Sequence, residues 1–503
     1  MASAQAHDDP AAAHPLVRID TGLVRGRWRP TTGDHGRPRS AAFLGIPFAE
    51  PPIGERRFAA PVPKAPWDGV LDAAEYGATA QRATDGIVLI PEPSIPGDST
   101  LNVNVFTPDP TPADGGGLPV MVWIHGGGFF AGSPASPWYD GRNFNRDGIV
   151  TVTISYRLGF DGFGWIDGAP SNRGVRDWLL ALEWVQRNIA AFGGDPSRVT
   201  IAGQSAGGGA VLTLLGMEAA QHLFHGAYAM SGFIAEGTSA DAEQFARAMA
   251  ERATVAPTVS GWRSLSEQQI LELQKKATSI NLGMIRNALS GRMAVSPVID
   301  GDLILRPSTE SFRLGVGAGK SLVFGTADDE FALLTTGRVA TNVLRLVPTR
   351  LLLRLLGVPK GARLRYLDAN RDVAAKGKGR LAGRLISDKM FRAAVPTIVA
   401  ARGAAPTWTF RFSWPSGKFG FAGHCIDVPF FFDVLDGPSL EPLTGADPPQ
   451  ALADRVHSAA AAFIVDGDPG WPRDAAPSHL SRVYDLPVRE EPDAYASVRP
   501  LLP

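Results

Sequence analysis

The chain of 503 residues is long enough for one large catalytic domain or about three domains of average size. Its 49 Lys and Arg nearly balance its 50 Asp and Glu, and the resulting formal charge of −1 argues against nucleic acid as a partner. With 44% hydrophobic and 20% charged residues, the composition also excludes the intrinsically disordered class. We therefore expect a folded globular protein.

Cysteine usage and the N-terminus bear on the cellular compartment. Cys425 is the only cysteine, so an intramolecular disulfide and a cysteine-rich zinc site are both excluded. Residues 1–14 are small and polar, and they predict a disordered tail rather than a secretory signal. No run of 18 apolar residues predicts a membrane span. We expect a cytoplasmic protein; the sequence does not set the oligomeric state, and a monomer is favoured.

Strand-like and helix-like segments alternate through the first half of the chain. The apolar runs at residues 120–124, 149–154 and 199–202 are typical of strands buried on both faces. Between the second and third runs, residues from Trp178 to Ile189 carry an apolar stripe at helical spacing. This order predicts an α/β fold, with a mostly parallel central sheet flanked by helices, as a single domain over residues 15–503.

A basic segment stands out in the second half. Residues 345–392 carry 13 Lys and Arg against three Asp, and we predict a basic helical sub-region at about 338–402. A surface for a membrane or an anionic partner is one interpretation of this charge. A solvated helical lid or subdomain is the favoured one.

The sequence GQSAG at residues 203–207 matches the G-x-S-x-G pattern of a nucleophile elbow. It follows the strand predicted at 199–202 and opens a helix-like segment at 206–215, which is the context that this turn requires. The flanking glycines keep side chains away from a crowded turn. Ser205 is therefore the predicted nucleophile. The predicted helix begins at Ala206, so its first unpaired N–H groups point at the reacting centre.

A second glycine-rich motif, HGGGF at residues 125–129, follows the strand predicted at 120–124. Such loops turn backbone N–H groups towards a substrate carbonyl in lipases and esterases. We predict an oxyanion hole made by Gly127, Gly128 and Ala206. A phosphate-binding loop is disfavoured because the Lys-Ser/Thr ending is absent. His125 precedes the serine, so we expect it to order the loop.

The catalytic histidine of an α/β-hydrolase follows the serine and the acid along the chain. His424, His457 and His479 remain once the histidines before the serine or close behind it are set aside. His424 is favoured because it follows the strand-like residues 408–412, whereas His457 lies in a helical pattern and His479 in a polar, proline-rich stretch.

The acid is expected on a loop after a strand between the serine and the histidine. Residues 322–324 are strand-like and lead into GTADDE at 325–330. Asp328, Asp329 or Glu330 could each orient the imidazole, so residue chemistry alone leaves the choice open. The two acidic residues that do not orient the imidazole are expected to be surface or helix-capping charges.

Together with the elbow, several motifs resemble the type-B carboxylesterase family of α/β-hydrolases. They are FLGIPFA at 43–49, LNVNV at 101–105, WIHGGGF at 123–129, NRG at 172–174 and FGGDP at 192–196. The resemblance covers nearly the whole chain after the tail. It implies the α/β-hydrolase fold, with helical lid or subdomain insertions.

The resemblance also assigns individual residues. It implies Glu330 as the triad acid, and it matches Asp427 to an acidic residue three positions after the catalytic histidine. Ser231, in the sequence MSG, matches a serine that hydrogen-bonds to the triad. Thr79 and Thr100 stand where secreted members of the family carry a disulfide.

The implied activity is that of a serine carboxylic-ester hydrolase. It would act through an acyl-enzyme on small to medium uncharged esters, with no metal or organic cofactor. Two alternatives remain open from the residues: amide or carbamate hydrolysis by the same triad, and a non-catalytic, cholinesterase-like binding module.

Overall fold

The computed structural model describes residues 14–32, 37–80, 82, 89–111, 117–235, 237–278 and 293–502. All but the last residue of the tail predicted at 1–14 lies outside these ranges. Within them, no helix is long and apolar enough to cross a membrane.

The strands are numbered along the chain. They are β1 (Leu16–Ile19), β2 (Gly22–Arg25), β3 (Arg27–Pro30), β4 (Arg39–Pro47), β5 (Val70–Asp72), β6 (Asn102–Thr107), β7 (Leu118–Ile124), β8 (Val150–Ile154), β9 (Gly194–Gln204), β10 (Gly226–Met230), β11 (Gly237–Thr238), β12 (Val298–Ile299), β13 (Ser321–Ala327), β14 (Thr407–Phe412), β15 (Leu480–Tyr484) and β16 (Arg489–Pro492).

Eleven of these strands form one central sheet in the order β16-β15-β14-β13-β10-β9-β7-β8-β6-β4-β3. From β15 to β8 every neighbouring pair is parallel, and the pairs at both ends of the sheet are antiparallel. The central strands are buried on both faces, as helices packed on either side of a parallel sheet require. A mostly parallel sheet is thus confirmed.

The α-helices connect and cover the strands. They span Arg142–Arg146, Gly159–Phe163, Arg173–Asn188, Ala206–Leu215, Ser239–Ala253, Val259–Arg263, Glu267–Ala277, Ser308–Arg313, Leu333–Thr336, Arg338–Leu346, Thr349–Leu355, Arg363–Ala369, Arg371–Ala375, Lys378–Ser387, Ala394–Arg402, Val428–Phe431, Glu441–Thr444 and Gln450–Asp466. A π-helical turn at Asp388–Arg392 joins two of them. The basic segment is therefore a succession of short helices between β13 and β14.

Most of the local predictions match the observed elements to within two residues. The strand predicted at 199–202 is longer, because it begins at Gly194 and pairs there with Leu118 of β7. The two hydrophobic clusters on either side of the sheet include Trp178 on one side and Trp123 on the other. They hold the parallel strands in place and so fix the loops at the carboxyl ends of those strands.

Candidate active site

Five loops that carry predicted site residues follow β7, β9, β10, β13 and β14. These strands are neighbours in the sheet and run parallel, so their carboxyl ends lie along one edge. Crevices at that edge are where open α/β sheets bind ligands. Residues that are hundreds of positions apart in the sequence are therefore brought into one site.

Ser205 occupies a sharp turn between β9 and the helix Ala206–Leu215. Its backbone has φ 59° and ψ −122°, a conformation that residues with a side chain rarely adopt. The amide of Ser205 donates to the Met230 carbonyl at 2.9 Å, which continues the β9–β10 ladder up to the turn. The sheet thereby holds the strained residue in a fixed position.

The glycines beside Ser205 are required by close approach. A Cβ on Gly207 would lie 1.9 Å from the Ile124 carbonyl oxygen, and one on Gly203 would lie 2.6 Å from the Gly207 backbone. Any larger residue would push the elbow away from β7. Glycines are expected here from the sequence because a side chain would crowd the turn, and the distances give the same reason.

A chain of hydrogen bonds runs from Ser205 through His424 to Glu330. The Ser205 hydroxyl lies 2.8 Å from His424 Nε2, and His424 Nδ1 lies 2.5 Å from Glu330 Oε2. A proton on Nδ1, donated to Glu330, leaves Nε2 free to accept from the serine. The arrangement can therefore remove the hydroxyl proton and stabilise the imidazolium that results.

Two further donors hold the second oxygen of Glu330. Ser231 donates through its hydroxyl to Glu330 Oε1 at 2.6 Å, and the Ala327 amide donates to the same atom at 2.9 Å. The Glu330 carbonyl also accepts from the amide of His424 at 2.9 Å. The carboxylate is buried and has no freedom to turn away from the imidazole.

The other two histidines have separate partners. His457 lies in the helix Gln450–Asp466 and pairs with Asp147 at 2.9 Å, and His479 pairs with Asp474 at 2.8 Å. Neither contacts Ser205. His125 donates through Nδ1 to the Gly126 carbonyl at 2.8 Å, and its ring stacks on Tyr156.

The glycine-rich loop after β7 packs directly against the elbow. A Cβ on Gly126 would lie 3.2 Å from Ser205 Cβ, which places the loop beside the hydroxyl. Gly127 and Gly128 have φ values of 103° and 62°, so both occupy the region that favours glycine. In the described part of the chain, no acceptor is bonded to the amides of Gly127, Gly128 or Ala206. All three are available to a substrate oxyanion.

Trp178 and Phe129 fix the far side of this loop. Phe129 has a φ of 64° and is fully buried, with its ring 5.9 Å from that of Trp178. Asp177, beside Trp178, binds Arg157 at 2.7 Å, and both charges are buried. The helix Arg173–Asn188 thus supports the glycine-rich loop from behind.

We expect Gly127→Ala to lower kcat by about 10² to 10³, the loss typical of one oxyanion donor. A Cβ at this position would lie 2.1 Å from the Ala131 carbonyl oxygen, so the loop must move to accept it. Steady-state hydrolysis of a soluble ester measures the effect. Gly319→Ala, where a Cβ meets nothing within 4 Å, is the matched control. A Gly127→Ala enzyme as fast as the wild type would contradict the assignment.

Asp427 is a buried acid that the hydrogen-bonded chain does not include. Neither of its carboxylate oxygens has a hydrogen-bond partner among the described residues. Burial raises its pKa to about 7, the nearby charge of Glu330 adds to the rise, and His424 and the local backbone amides offset only part of it. Asp427 is therefore substantially protonated at neutral pH.

Asp427→Asn is expected to gain stability relative to the wild type as the pH rises. The folded-state pKa lies above the ordinary value of 3.8, so ionisation of the wild-type carboxyl opposes folding as the pH climbs from about 4 past 7. Between pH 5 and pH 8 the difference should shift by on the order of 2 kcal/mol in favour of the variant. Urea unfolding at several pH values measures it. A difference that is constant with pH would refute this account.

Asp328 and Asp329 are neither surface nor capping charges, contrary to expectation. Both are buried: Asp328 binds Arg392 and Arg411, and Asp329 binds Arg380. Burial alone would raise the pKa of Asp328, but the guanidinium groups of Arg411 and Arg392 hold it well below its usual range. The two aspartates tie the loop that carries Glu330 to the helices behind it.

A cavity of about 830 Å³ adjoins the glycine-rich loop. Phe130 and Ala131 line it, and Phe130 also contacts Gly128, since a Cβ there would lie 2.6 Å from the Phe130 ring. Four basic and four acidic residues line the cavity, so its formal charge is zero. Several of them pair with each other, as Arg57 does with Asp161. Neither Ser205 nor His424 is part of the lining.

Comparison with known sequences places these features in context. The model of the carboxylesterase family matches residues 13–490. The para-nitrobenzyl esterase of Bacillus subtilis strain 168 is 32% identical over 507 residues, which cover 97% of this chain and 98% of that protein. Fumonisin B1 esterase of Sphingopyxis macrogoltabida is 31% identical over 86% of this chain and 81% of its own.

Solved structures give the same result for the fold. A para-nitrobenzyl esterase structure superposes with a TM-score of 0.81 at 29% identity, covering 98% of this chain and all of that one. A Geobacillus stearothermophilus carboxylesterase superposes with a TM-score of 0.80 at 28% identity, over 96% of this chain and 99% of its own. The α/β-hydrolase fold is thus confirmed, and these relatives give no support to an amide hydrolase or a binding module.

Proposed function

Because this chain belongs to the carboxylesterase family and hydrolyses carboxylic esters, we propose that its reaction proceeds through an acyl-enzyme on Ser205. The observation that carries the proposal is the continuous hydrogen-bonded chain from the Ser205 hydroxyl through His424 to Glu330. Serine attack needs a base within hydrogen-bond reach and a third group that orients the base, and this chain supplies both.

In the acylation step, His424 Nε2 takes the hydroxyl proton as Ser205 Oγ attacks the ester carbonyl carbon. The carbonyl oxygen becomes an oxyanion, which the amides of Gly127, Gly128 and Ala206 stabilise. His424 then gives its proton to the leaving alcohol as the ester C–O bond breaks. Glu330 keeps the imidazole oriented and balances its positive charge throughout.

In the deacylation step, a water molecule replaces the alcohol. His424 Nε2 removes a proton from the water as its oxygen attacks the acyl carbon, and the same amides hold the second oxyanion. The imidazolium returns the proton to Ser205 Oγ as the acyl bond breaks, and a carboxylic acid leaves. The serine is restored, with no cofactor consumed.

We propose small to medium uncharged esters as substrates. The rings of Phe331 and Phe391 lie 4.8 and 5.2 Å from that of His424, so the imidazole has an apolar border. The cavity beside Phe130 has no net charge and room for a chain that extends from the carbonyl. A charged acyl group held beside the Phe331 and Phe391 rings would lose its hydration without gaining a partner.

The proposal predicts one covalent adduct per chain with diethyl p-nitrophenyl phosphate. The reagent should release one equivalent of p-nitrophenolate, inactivate the enzyme and leave a diethylphosphoryl group that peptide mass mapping locates on Ser205. Folded Ser205→Ala protein is the control and should remain unlabelled. An adduct on another residue, or sustained ester hydrolysis after complete inactivation of Ser205, would overturn the mechanism.

Substrate charge is tested with two matched esters. We expect kcat/KM for p-nitrophenyl butyrate to exceed that for mono-p-nitrophenyl succinate by at least about tenfold, since an unpaired carboxylate is costly to bury. The two esters share the leaving group and nearly the same acyl length, so the comparison isolates the charge. Equal values would reject the preference for uncharged esters.

We also place the enzyme in the cytoplasm. The single cysteine, Cys425, is buried, so that the fold needs no oxidising compartment. Fractionation of the native host, with an antibody against this chain, tests the assignment. Recovery outside the cytoplasm would refute it.

A further inference from the structure

An unusual share of exposed apolar side chains lies in one short segment. Of the 15 large hydrophobic residues exposed in the described part of the chain, seven fall between residues 334 and 364. In the helix Arg338–Leu346, Val339, Val343 and Leu346 are 78%, 58% and 86% exposed. Their spacing of four and three residues puts them on one stripe of the helix. An apolar stripe turned to solvent is what a docking helix presents.

The same segment carries only positive charge. Residues 331–367 contain seven Lys and Arg and no Asp or Glu, in a chain whose overall charge is −1. In the helix Thr349–Leu355, the exposed Arg350 and Arg354 stand beside the exposed Leu351 and Leu355. We call the exposed side of residues 338–365 the outer basic face.

Three arginines further along the chain form ion pairs inside the protein instead. Arg380 and Arg384 bind Asp329, and Arg392 binds Asp328 and Asp388. By contrast, Arg338, Arg345, Arg350 and Arg354 form no ion pair with any residue that the structure describes. The basic segment therefore includes three arginines that buried aspartates neutralise and, nearer its start, four that no described carboxylate pairs with.

The inner sides of these helices are anchored, so the exposed stripe is a fixed surface. Lys378 donates through Nζ to the carbonyls of Arg345 and Val347, at 2.8 and 2.7 Å, at the end of the first helix. Leu353 of the second helix packs in a buried cluster with Leu381 and Leu385. Both helices thus rest on the helix Lys378–Ser387, and their apolar exposure is not the result of missing inner contacts.

We propose that the outer basic face docks this protein onto the surface of an anionic phospholipid bilayer. Apolar insertion and polybasic attraction are each weak alone, and peripheral proteins bind stably when one surface combines both. The stripe of Val339, Val343 and Leu346 supplies the insertion, and the unpaired arginines on the same side supply the attraction. A bilayer with anionic headgroups matches this surface, because its interior is apolar and its surface is negatively charged.

Charge decides against a second copy of the chain as the occupant. A two-fold contact through this face would place its seven Lys and Arg opposite the same seven of the partner copy, with no acidic residue in the face to separate them. Anionic headgroups, in contrast, neutralise every one of these charges. The charge of the face thus selects lipid over self-association.

Vesicle cosedimentation of the full chain tests the proposal. We expect binding to phosphatidylcholine vesicles that contain phosphatidylglycerol to exceed binding to pure phosphatidylcholine by at least about tenfold, and to weaken steeply with added salt. The double variant Val343→Ser/Leu346→Ser and the double variant Arg338→Gln/Arg345→Gln should each lose most of it. The variant Leu314→Ser, with a leucine that is exposed elsewhere, should bind like the wild type.

The outcomes separate lipid docking from its rivals. None of the substituted residues belongs to the active site, so each variant should hydrolyse a soluble ester at the wild-type rate, which confirms folding. No binding to anionic vesicles would overturn the proposal, as would binding that the two double variants leave unchanged. A dimer in gel filtration that either double variant dissociates would assign the face to a second copy instead. Binding by Ser205→Ala should be normal, so this result is independent of the proposed mechanism.

Discussion

Alanine at Ser205 or at His424 is expected to lower kcat by about 10⁴ to 10⁶, and replacing both residues should cost no more than replacing one. In the proposed mechanism neither residue acts alone, because the serine needs the imidazole to take its proton and the imidazole activates water only after an acyl group is bound to the serine. Their atoms lie 2.8 Å apart, and no described side chain stands in for either. Steady-state kinetics on p-nitrophenyl butyrate measures all three variants.

Ser231→Ala provides the graded comparison for these variants. Its hydroxyl touches Glu330 and neither reacting atom, so we expect a much smaller loss of kcat than for Ser205 or His424. The coupled-pair model fails if the double variant is slower than either single variant by the product of their losses. Such additivity would mean that the two side chains act in separate steps.

Removing the guanidinium of Arg392 should give the largest loss of stability. Arg392 is fully buried and binds both Asp328 and Asp388, at 2.5 and 2.7 Å. In Arg392→Met the chain keeps a side chain of similar length but leaves two buried carboxyls short of a partner. We expect the free energy of unfolding to fall by about 3 to 5 kcal/mol, as when one member of a buried ion pair is removed. Urea denaturation measures the change.

The matched control is Arg371→Met. Arg371 also pairs with an aspartate, Asp368, but both side chains are largely exposed, and such pairs contribute little. Equal destabilisation by the two variants would show that the buried network is not what holds this region together. A selective loss in Arg392→Met should also lower activity, because Asp328 belongs to the loop that carries Glu330.

The elbow and the glycine-rich loop could be predicted because their requirements are local. A turn position at which a Cβ would lie within 2 Å of a carbonyl oxygen admits only glycine, and Gly207 is such a position next to the serine itself. The helix at Ala206–Leu215 likewise follows directly from the residues within it. Local sequence therefore determines the turn at Ser205 and the strand and helix on either side of it.

The partners of Asp328 and Asp329 could not be predicted in the same way. They lie between 51 and 83 residues away along the chain and meet only when the helices after β13 fold back against β14. From the sequence alone, these arginines are visible only as an excess of basic residues in the segment. Which of them turn inward and which stay on the outer basic face depends on tertiary packing, and Arg380 and Arg350 look alike until that packing is known.

Because its only cysteine, Cys425, is buried, the folded protein should give no background reaction with thiol-specific reagents. Its thiol is buried beside Gln204, and burial together with the charges of Asp427 and Glu330 raises its pKa well above the usual range. Maleimides react with thiolates, so they should pass over this residue in the folded enzyme. A cysteine introduced at Val343 would then be the one reactive position, and a polarity-sensitive dye attached there would report directly whether that side chain leaves water.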